Sequence, residues 1–388
     1  MTGVATKTPA RAGEARSGRG AQLRAWTAES QFVGVLALLI VLFVVFSLTQ
    51  PRFFTAANIR VLLMGVSILW VVSLGLTFVM LTGGFDLSLG SMVALAGFIF
   101  VGFYVNLGLP ALLAIILSIL SGGILGGGIN GVLIGWVRMP FLVVTLGTLS
   151  LFQGVTYLVS GTQTVSLNSS LLDAIGFKTT FGVPIAVWIM LGTLVISLFV
   201  LRRTYFGRDV YAVGGNSRAA RLAGVNVTRT LIAVYAIAGA LAALGGILQA
   251  SQISAASPLS AATIIFDATA AVLLGGTVLG GGVGGVVGTA VGVLFLGVLQ
   301  NGLALTGVAS AWQQTLSGVI VILAVLFHQL QHMGTPLLRR RSEQERIAGR
   351  QRSGRAPAFR PQAHVRWPAE TGRRCPQEEE GRIGLRDI

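Results

Sequence analysis

Asp86, Asp173, Asp209 and Asp267 are the only carboxylates in the apolar body of this chain. Ionisable groups at membrane depth are the usual means of moving protons or sodium, so this scarcity argues against ion-coupled chemistry. Asp86 stands in GGFDLSLGS and admits two readings. In one, Gly83 and Gly84 break the chain and Asp86 caps a helix starting at Leu87. In the other, the break lies beside a solute path, because unwound backbone is tolerated in a membrane only where it faces protein or water. Asp267, ahead of ATAAVLLGG, invites the same pair of readings. Ser88, Thr145, Thr277 and Asn301 complete the candidate path set with Asp86 and Asp267. Such a largely uncharged lining suits a hydroxyl-rich solute, which binds by hydrogen bonds rather than by charge.

A second polar group has a different character. Gly207 to Gly224, GRDVYAVGGNSRAARLAG, forms the centre of an island from Arg202 to Arg229 lying between two long apolar runs. Asn216 is a preferred N-cap residue and Gly224 a preferred residue just past a helix end, so Ser217 to Ala223 is predicted to form a helix of about two turns. A helix that short does not persist alone in water and needs a partner surface. Ala219, Leu222 and Ala223 fall at i, i+3 and i+4, an apolar face for that partner, while Ser217, Arg218 and Arg221 point elsewhere. The alternative is a solvated basic loop whose arginines only fix membrane orientation.

Other chemistries find no support. The chain has no G-x-x-x-x-G-K-[ST] phosphate loop. Gly280, Gly282 and Gly285 satisfy G-x-G-x-x-G, but no strand precedes them and no acidic ribose partner follows. His328 and His332, at i and i+4, lack the intervening glutamate of H-E-x-x-H, and a favourable place at a helix C-terminus accounts for them. His364 and the single cysteine, Cys375, lie in a polar tail, and one cysteine excludes a disulfide framework. No nucleophile, base and orienting group can be assembled, so the chain reads as a non-enzyme with no metal site.

The elements that must hold these groups are apolar helices. The chain has 388 residues, 53% hydrophobic and 11% charged, against about 25% charged in soluble domains. It is therefore predicted to be an all-α polytopic membrane protein with glycine-broken segments. Each span needs about 20 residues. The runs are near 32–49, 61–81, 87–105, 111–135, 141–160, 184–201, 230–250, 264–279, 285–302 and 312–331, about ten in all. With both termini in the cytoplasm, Arg138, the island and Arg339 to Arg341 fall inside, and only Arg52, Arg60 and Lys178 fall outside, as the positive-inside rule requires. The net charge of +15 is explained by this placement; no nucleic-acid module or aromatic-interleaved basic patch appears. Residues 1–30 read as a disordered basic arm, 31–335 as the membrane domain and 336–388 as a disordered cytoplasmic tail.

Glycine patterns add detail. Gly123, Gly127, Gly131 and Gly135 recur every four residues, as do Gly280, Gly284, Gly288 and Gly292, each series predicting a smooth groove on one helix face for close packing. LTGGFDLSLG (Leu81 to Gly90) and LLGGTVLGGG (Leu273 to Gly282) share L-x-G-G-x-x-L-x-x-G, a faint internal echo in parallel orientation.

The run YAVGGNSRAARLAGVNV (Tyr211 to Val227) resembles the cytoplasmic coupling segment of permease subunits in the ribose-type branch of ATP-driven (ABC) importers, the branched-chain amino acid and sugar permease family. GGFDLSLGSMVALAG, PFLVVTLGTLSLFQGVTYLVSG, DATAAVLLGGTVLGGGVGGVVGT and LQNGLALTGV resemble other segments of that family, in order and spacing, over residues 32–331. The resemblance implies a multi-pass subunit of the cytoplasmic membrane that translocates a monosaccharide or similar small polar solute. It further implies a second permease copy, identical or homologous, a separate ATP-binding cassette subunit that carries ATP and Mg, and an extracytoplasmic solute-binding protein. No cofactor is implied in this chain. Residues implied in coupling to the ATPase are Arg208, Gly214, Gly215, Asn216, Arg218, Ala219, Ala220, Arg221 and Gly224. Arg208, Arg218 and Arg221 are free to pair with acidic groups there; Arg339 to Arg341 fall outside the resemblance and read as an anchor for the last span, with binding of anionic lipid headgroups as the alternative.

Three departures from the family pattern bear on solute and partner. Ile265 stands where sugar permeases of this family commonly carry glutamate, Val283 and Gly285 where basic residues are frequent, and Arg218 where an acidic residue is frequent. The competing expectations are a secondary transporter or channel that works without an ATPase, and a membrane scaffold or integral enzyme.

Overall fold

The computed structural model describes residues 33–259, 263–316, 318–320, 322, 323 and 326. The chain divides at Gln329, and every described residue belongs to the unit before that point. The N-terminal arm, His328, His332, His364, Cys375, Arg339 to Arg341 and the tail lie outside the described residues.

Among the described residues, seven helices are long and apolar enough to cross a membrane. They are α2 (Ala56–Leu81), α3 (Leu89–Asn106), α4 (Ala111–Gly135), α5 (Phe141–Ser160), α7 (Ile185–Arg203), α9 (Val227–Ile253) and α11 (Val286–Leu305). Two more apolar helices are shorter, α1 (Val33–Thr49) and α10 (Ile264–Leu274). The run expected over 264–279 stops at Leu274 because Gly275 and Gly276 follow, the latter with φ +82°. Of the run expected over 312–331, the described part is helical from residue 310. The eight-residue α6 (Ser170–Phe177) is largely apolar, and α8 (Tyr205–Leu222) is polar.

Local chemistry sets the helix starts. Pro110, Pro140 and Pro184 stand directly before α4, α5 and α7, where a missing N–H costs nothing and φ is already near its helical value. Thr55 caps α2 by accepting the N–H of Asn58 at 3.3 Å. Gly161, with φ +57°, ends α5.

The long helix α9 is the axis of the bundle and packs against α2, α3 and α4. Tyr235, Ala238, Ala242, Ala243 and Leu248 are buried along it, as is nearly all of α2 from Leu69 to Leu81. The first glycine series packs within the bundle as expected: Gly123, Gly127, Gly131 and Gly135 all lie against α9, at Ala236, Ile232 and Thr228. The second series differs from expectation. Gly280 and Gly284 sit in the turn ahead of α11, and only Gly288 and Gly292 form a helix groove, filled by Gly275 and Ala271. Around this core α5 and α7 turn Leu142, Val143, Leu151, Leu158, Val195, Ile196 and Phe199 outward, as lipid-facing helices do.

Successive spans alternate in direction, so the bundle has two distinct ends. Gly135 and Thr228 meet at one of them, where the Thr228 hydroxyl donates to the Gly135 carbonyl at 3.0 Å. Asn58 and Asn301 meet at the other, exchanging amide hydrogen bonds of 2.9 and 3.1 Å. The first end carries Arg138 and the island arginines, and the second carries Arg52, Arg60 and Lys178. Two short strand pairs close the second end, β1 (Val165–Ser166) with β4 (Ala255–Ala256) and β2 (Thr179–Thr180) with β3 (Val183–Pro184).

Candidate functional site

The island is helical for most of its length. Thr204 opens α8 by accepting the Gly207 N–H at 3.2 Å, and the helix runs to Asn216, where the backbone becomes extended at φ −166° and ψ 102°. There Asn216 Oδ1 accepts the N–H groups of Arg218 at 3.1 Å and Ala219 at 3.0 Å. Asn216 thus caps a new helical segment, as its residue type predicts. Gly224, at φ +90°, ends it, while the Ala223 and Val225 N–H groups bond the Ala219 and Ala220 carbonyls at 3.0 Å. A left-handed glycine with such bonds closes the orphan carbonyls of a helix end. The result is a short rod, Ser217 to Leu222, capped at both ends and continuing α8 past a break.

The rod's faces differ in part from expectation. Ala220 is 5% exposed and turned inward against Val213 and Val227, where it supports the rod from behind. Ala219, Ala223, Arg218 and Arg221 are exposed, and Leu222 is 91% exposed. Among the described residues nothing covers the predicted apolar face, which is rimmed by two arginines. Arg208 lies over the Tyr205 ring, 4.2 Å from its centroid.

Behind the rod three stretches of main chain meet with no side chain between them. The Gly282 N–H donates to the Leu81 carbonyl at 2.9 Å. A Cβ on Gly214 would strike the Leu81 carbonyl and come within 2.5 Å of the Gly282 nitrogen, and one on Gly281 would come within 2.9 Å of the Gly214 Cα and 2.6 Å of the Gly83 nitrogen. A Cβ on Gly215, by contrast, meets nothing within 4 Å. The two echoing segments, Leu81 to Gly90 and Leu273 to Gly282, thus touch each other and the island. Beside this contact the Tyr211 hydroxyl donates to the Gly284 carbonyl at 3.0 Å. Burial pushes the Tyr211 phenol above its ordinary value, with Arg202 acting the other way. Both residues line a cleft of about 370 Å³ walled by Gly275, Gly276 and Gly284 to Gly288.

The candidate path residues separate into groups. Asp86, 1% exposed, and Ser88 are joined: Asp86 Oδ1 accepts the Ser88 N–H at 2.9 Å and its hydroxyl at 2.6 Å. Helix α3 starts at Leu89, two residues later than the expected Leu87, because Asp86 spends its oxygen on this turn. Asn130 Nδ2 reaches both Asp86 oxygens at 3.4 and 3.3 Å and Ser88 Oγ at 2.9 Å. It does so from a π-helical stretch of α4, Gly126–Gly131, a geometry frequent at functional sites. The Tyr235 hydroxyl lies over Gly84, where a Cβ would be 2.8 Å from it. Among the described residues, Tyr235 Oη, Asn130 Oδ1 and Thr145 Oγ1 are buried without a hydrogen-bond partner.

Thr277 is buried near the main-chain contact, its Oγ1 accepting the Gly285 N–H at 3.4 Å. Asp267 is half-buried in the first turn of α10, and neighbouring Ile265 is in the core. Asn301 is paired with Asn58 at the far end of the bundle and is not brought together with Asp86. Sequence reasoning missed Asn130, Tyr235 and Tyr211. The signal available for Asn130 was a lone amide in the glycine-rich run GGGING.

The family described as Branched-chain amino acid transport system / permease component matches residues 58–325. The ribose import permease protein of Escherichia coli (strain K12) is 38% identical over 317 residues, 80% of this chain and 96% of that protein. The corresponding protein of Bacillus subtilis (strain 168) is 39% identical over 298 residues, 76% and 92% of the two chains. The L-arabinose transport system permease protein of Escherichia coli (strain K12) is 32% identical over 294 residues, 76% and 89%. No solved structure matches this chain.

Proposed function

This chain belongs to the family of branched-chain amino acid transport system permease components, and we propose that it is the membrane-spanning subunit of an ATP-driven importer for a monosaccharide or similar small polar solute. The observation that carries the proposal is the rod. A doubly capped helical turn with exposed Leu222 beside Arg218 and Arg221 is suited to seat on a separate protein with an apolar groove and acidic rim.

In this reading the rod's end of the bundle is cytoplasmic. Arg138 and the island arginines then lie inside with both termini, and the full count of spans is about ten. The partner there is an ATP-binding cassette subunit, which holds ATP and Mg, so this chain is not itself an enzyme. At the opposite end an extracytoplasmic binding protein delivers the solute, and a second permease copy completes the membrane part. Arg208, Asn216, Arg218, Ala219, Arg221 and Gly224 make or shape the ATPase contact. Asp86, Ser88 and Asn130, with Thr145, Tyr235 and Thr277, are the polar groups available to a hydroxyl-rich solute when the bundle opens. Ligand and nucleotide can drive such a switch only by bonding differently to its two states.

The test is uptake of labelled ribose and arabinose into proteoliposomes holding this chain, its ATPase and its binding protein. Uptake that requires Mg-ATP and all components supports the reading. Uptake that persists without the ATPase and follows an ion gradient overturns it in favour of a secondary transporter.

A further inference from the structure

The contact behind the rod does more than fill space. The carbonyls at the end of a helix have no intrahelical partner, and that of Leu81, the last residue of α2, is taken by Gly282 from the turn between α10 and α11. Gly214 of α8 lies against both. Three elements distant in sequence therefore share one main-chain contact. Side chains can change rotamer and absorb a displacement, whereas close-packed backbone transmits it.

The contact also stands between the two parts of the site. Gly214 is two residues from the cap of the rod. Gly83 and Gly84 lead within two residues to Asp86, the centre of the polar cluster, and Gly281 and Gly282 lead through Gly284 to Gly285 at the start of α11. The Tyr211 hydroxyl on Gly284 ties α8 to the same turn a second time.

We propose that Leu81, Gly214, Gly281 and Gly282 form the joint through which displacement of the rod reaches the Asp86 cluster, and that Gly214 is a positioning residue for transport while Gly215 is not. The proposal rests on the importer reading. It separates two neighbouring glycines that sequence treats alike: both lie with their main chain against the Gly281–Gly282 turn, but Gly214 has no room for a methyl group, whereas a Cβ on Gly215 would meet nothing within 4 Å.

The experiment compares Gly214→Ala and Gly215→Ala in the reconstituted transporter with its ATPase and binding protein. Wild-type uptake without ATP dependence would remove the importer reading itself, and the joint with it. Given ATP-dependent wild-type uptake, Gly215→Ala retains uptake within about twofold, whereas Gly214→Ala lowers it by about tenfold or more, within the usual range of coupling between sites. In Gly214→Ala the ATPase still co-purifies, but its hydrolysis no longer rises when loaded binding protein is added. Equal uptake and equal stimulation in the two variants overturn the joint. Should Gly214→Ala fail to assemble, Tyr211→Phe decides, because it deletes only the hydroxyl bonded to Gly284. A parallel fall in uptake and stimulation, with the ATPase retained, supports the joint, and wild-type behaviour overturns it.

Discussion

The Gly282 N–H donates to the Leu81 carbonyl at 2.9 Å, joining the end of the second helix to a turn some two hundred residues later. These two residues open and close the two L-x-G-G-x-x-L-x-x-G segments, so the internal echo becomes a physical contact with Gly214 wedged beside it. Force from the rod and the conformation of the polar cluster are linked at this point.

Asn216 fixes the start of the rod, so its loss should fray the segment that meets the ATPase. Asn216→Ala removes an N-cap worth about 1 kcal/mol, and Asn216→Asp keeps one. Co-purification of the ATPase should fall in the first variant and stay near wild type in the second.

Arg218 and Arg221 rim the exposed Leu222. Arg218→Glu with Arg221→Glu should weaken ATPase association, and the wild-type complex should loosen with added salt more than the variant does, because exposed pairs are screened within about 10 Å at 0.1 M ionic strength. Sedimentation of the complex across a salt series measures both.

Asn130 is the amide that crosses from α4 to Asp86 and Ser88. Asn130→Ala leaves Asp86 with Ser88 as its remaining donor and should cost about 1–3 kcal/mol, the range for a buried polar group deprived of a partner. Thermal unfolding in detergent reads the loss.

The glycine groove between α4 and α9 predicts a contrast within one helix type. A Cβ on Gly131 would lie 2.8 Å from the Ile232 Cα, while one on Gly147 of α5 meets nothing within 4 Å. Gly131→Ala should lower the unfolding temperature. Gly147→Ala should leave it unchanged or raise stability by about 0.5–1 kcal/mol through helix propensity.

What the sequence made legible was local. Asn216 and Gly224 announce their caps by residue type, and Pro140 with Gly161 brackets α5 at its observed ends, because each effect acts within one turn of the chain. The helix from Tyr205 to Gly215 was not legible, since its polar residues and paired glycines resemble a loop and it is held by contacts with α2 and the α10–α11 turn. The inward turn of Ala220 and the reach of Asn130 to Asp86 are tertiary facts without a local signature. The pairing of Asn301 with Asn58 is another such fact, since nothing near either residue in the chain announces its partner.

A rod that faces the cytoplasm and seats on the ATPase is out of reach of reagents outside the cell. Leu222→Cys, in a chain with Cys375→Ser, tests it most directly when a membrane-impermeant thiol reagent is added to intact cells and to inside-out vesicles. A cytoplasmic rod gives no labelling in cells, labelling in vesicles stripped of the ATPase, and protection when the ATPase is restored. Labelling of intact cells from outside would contradict it.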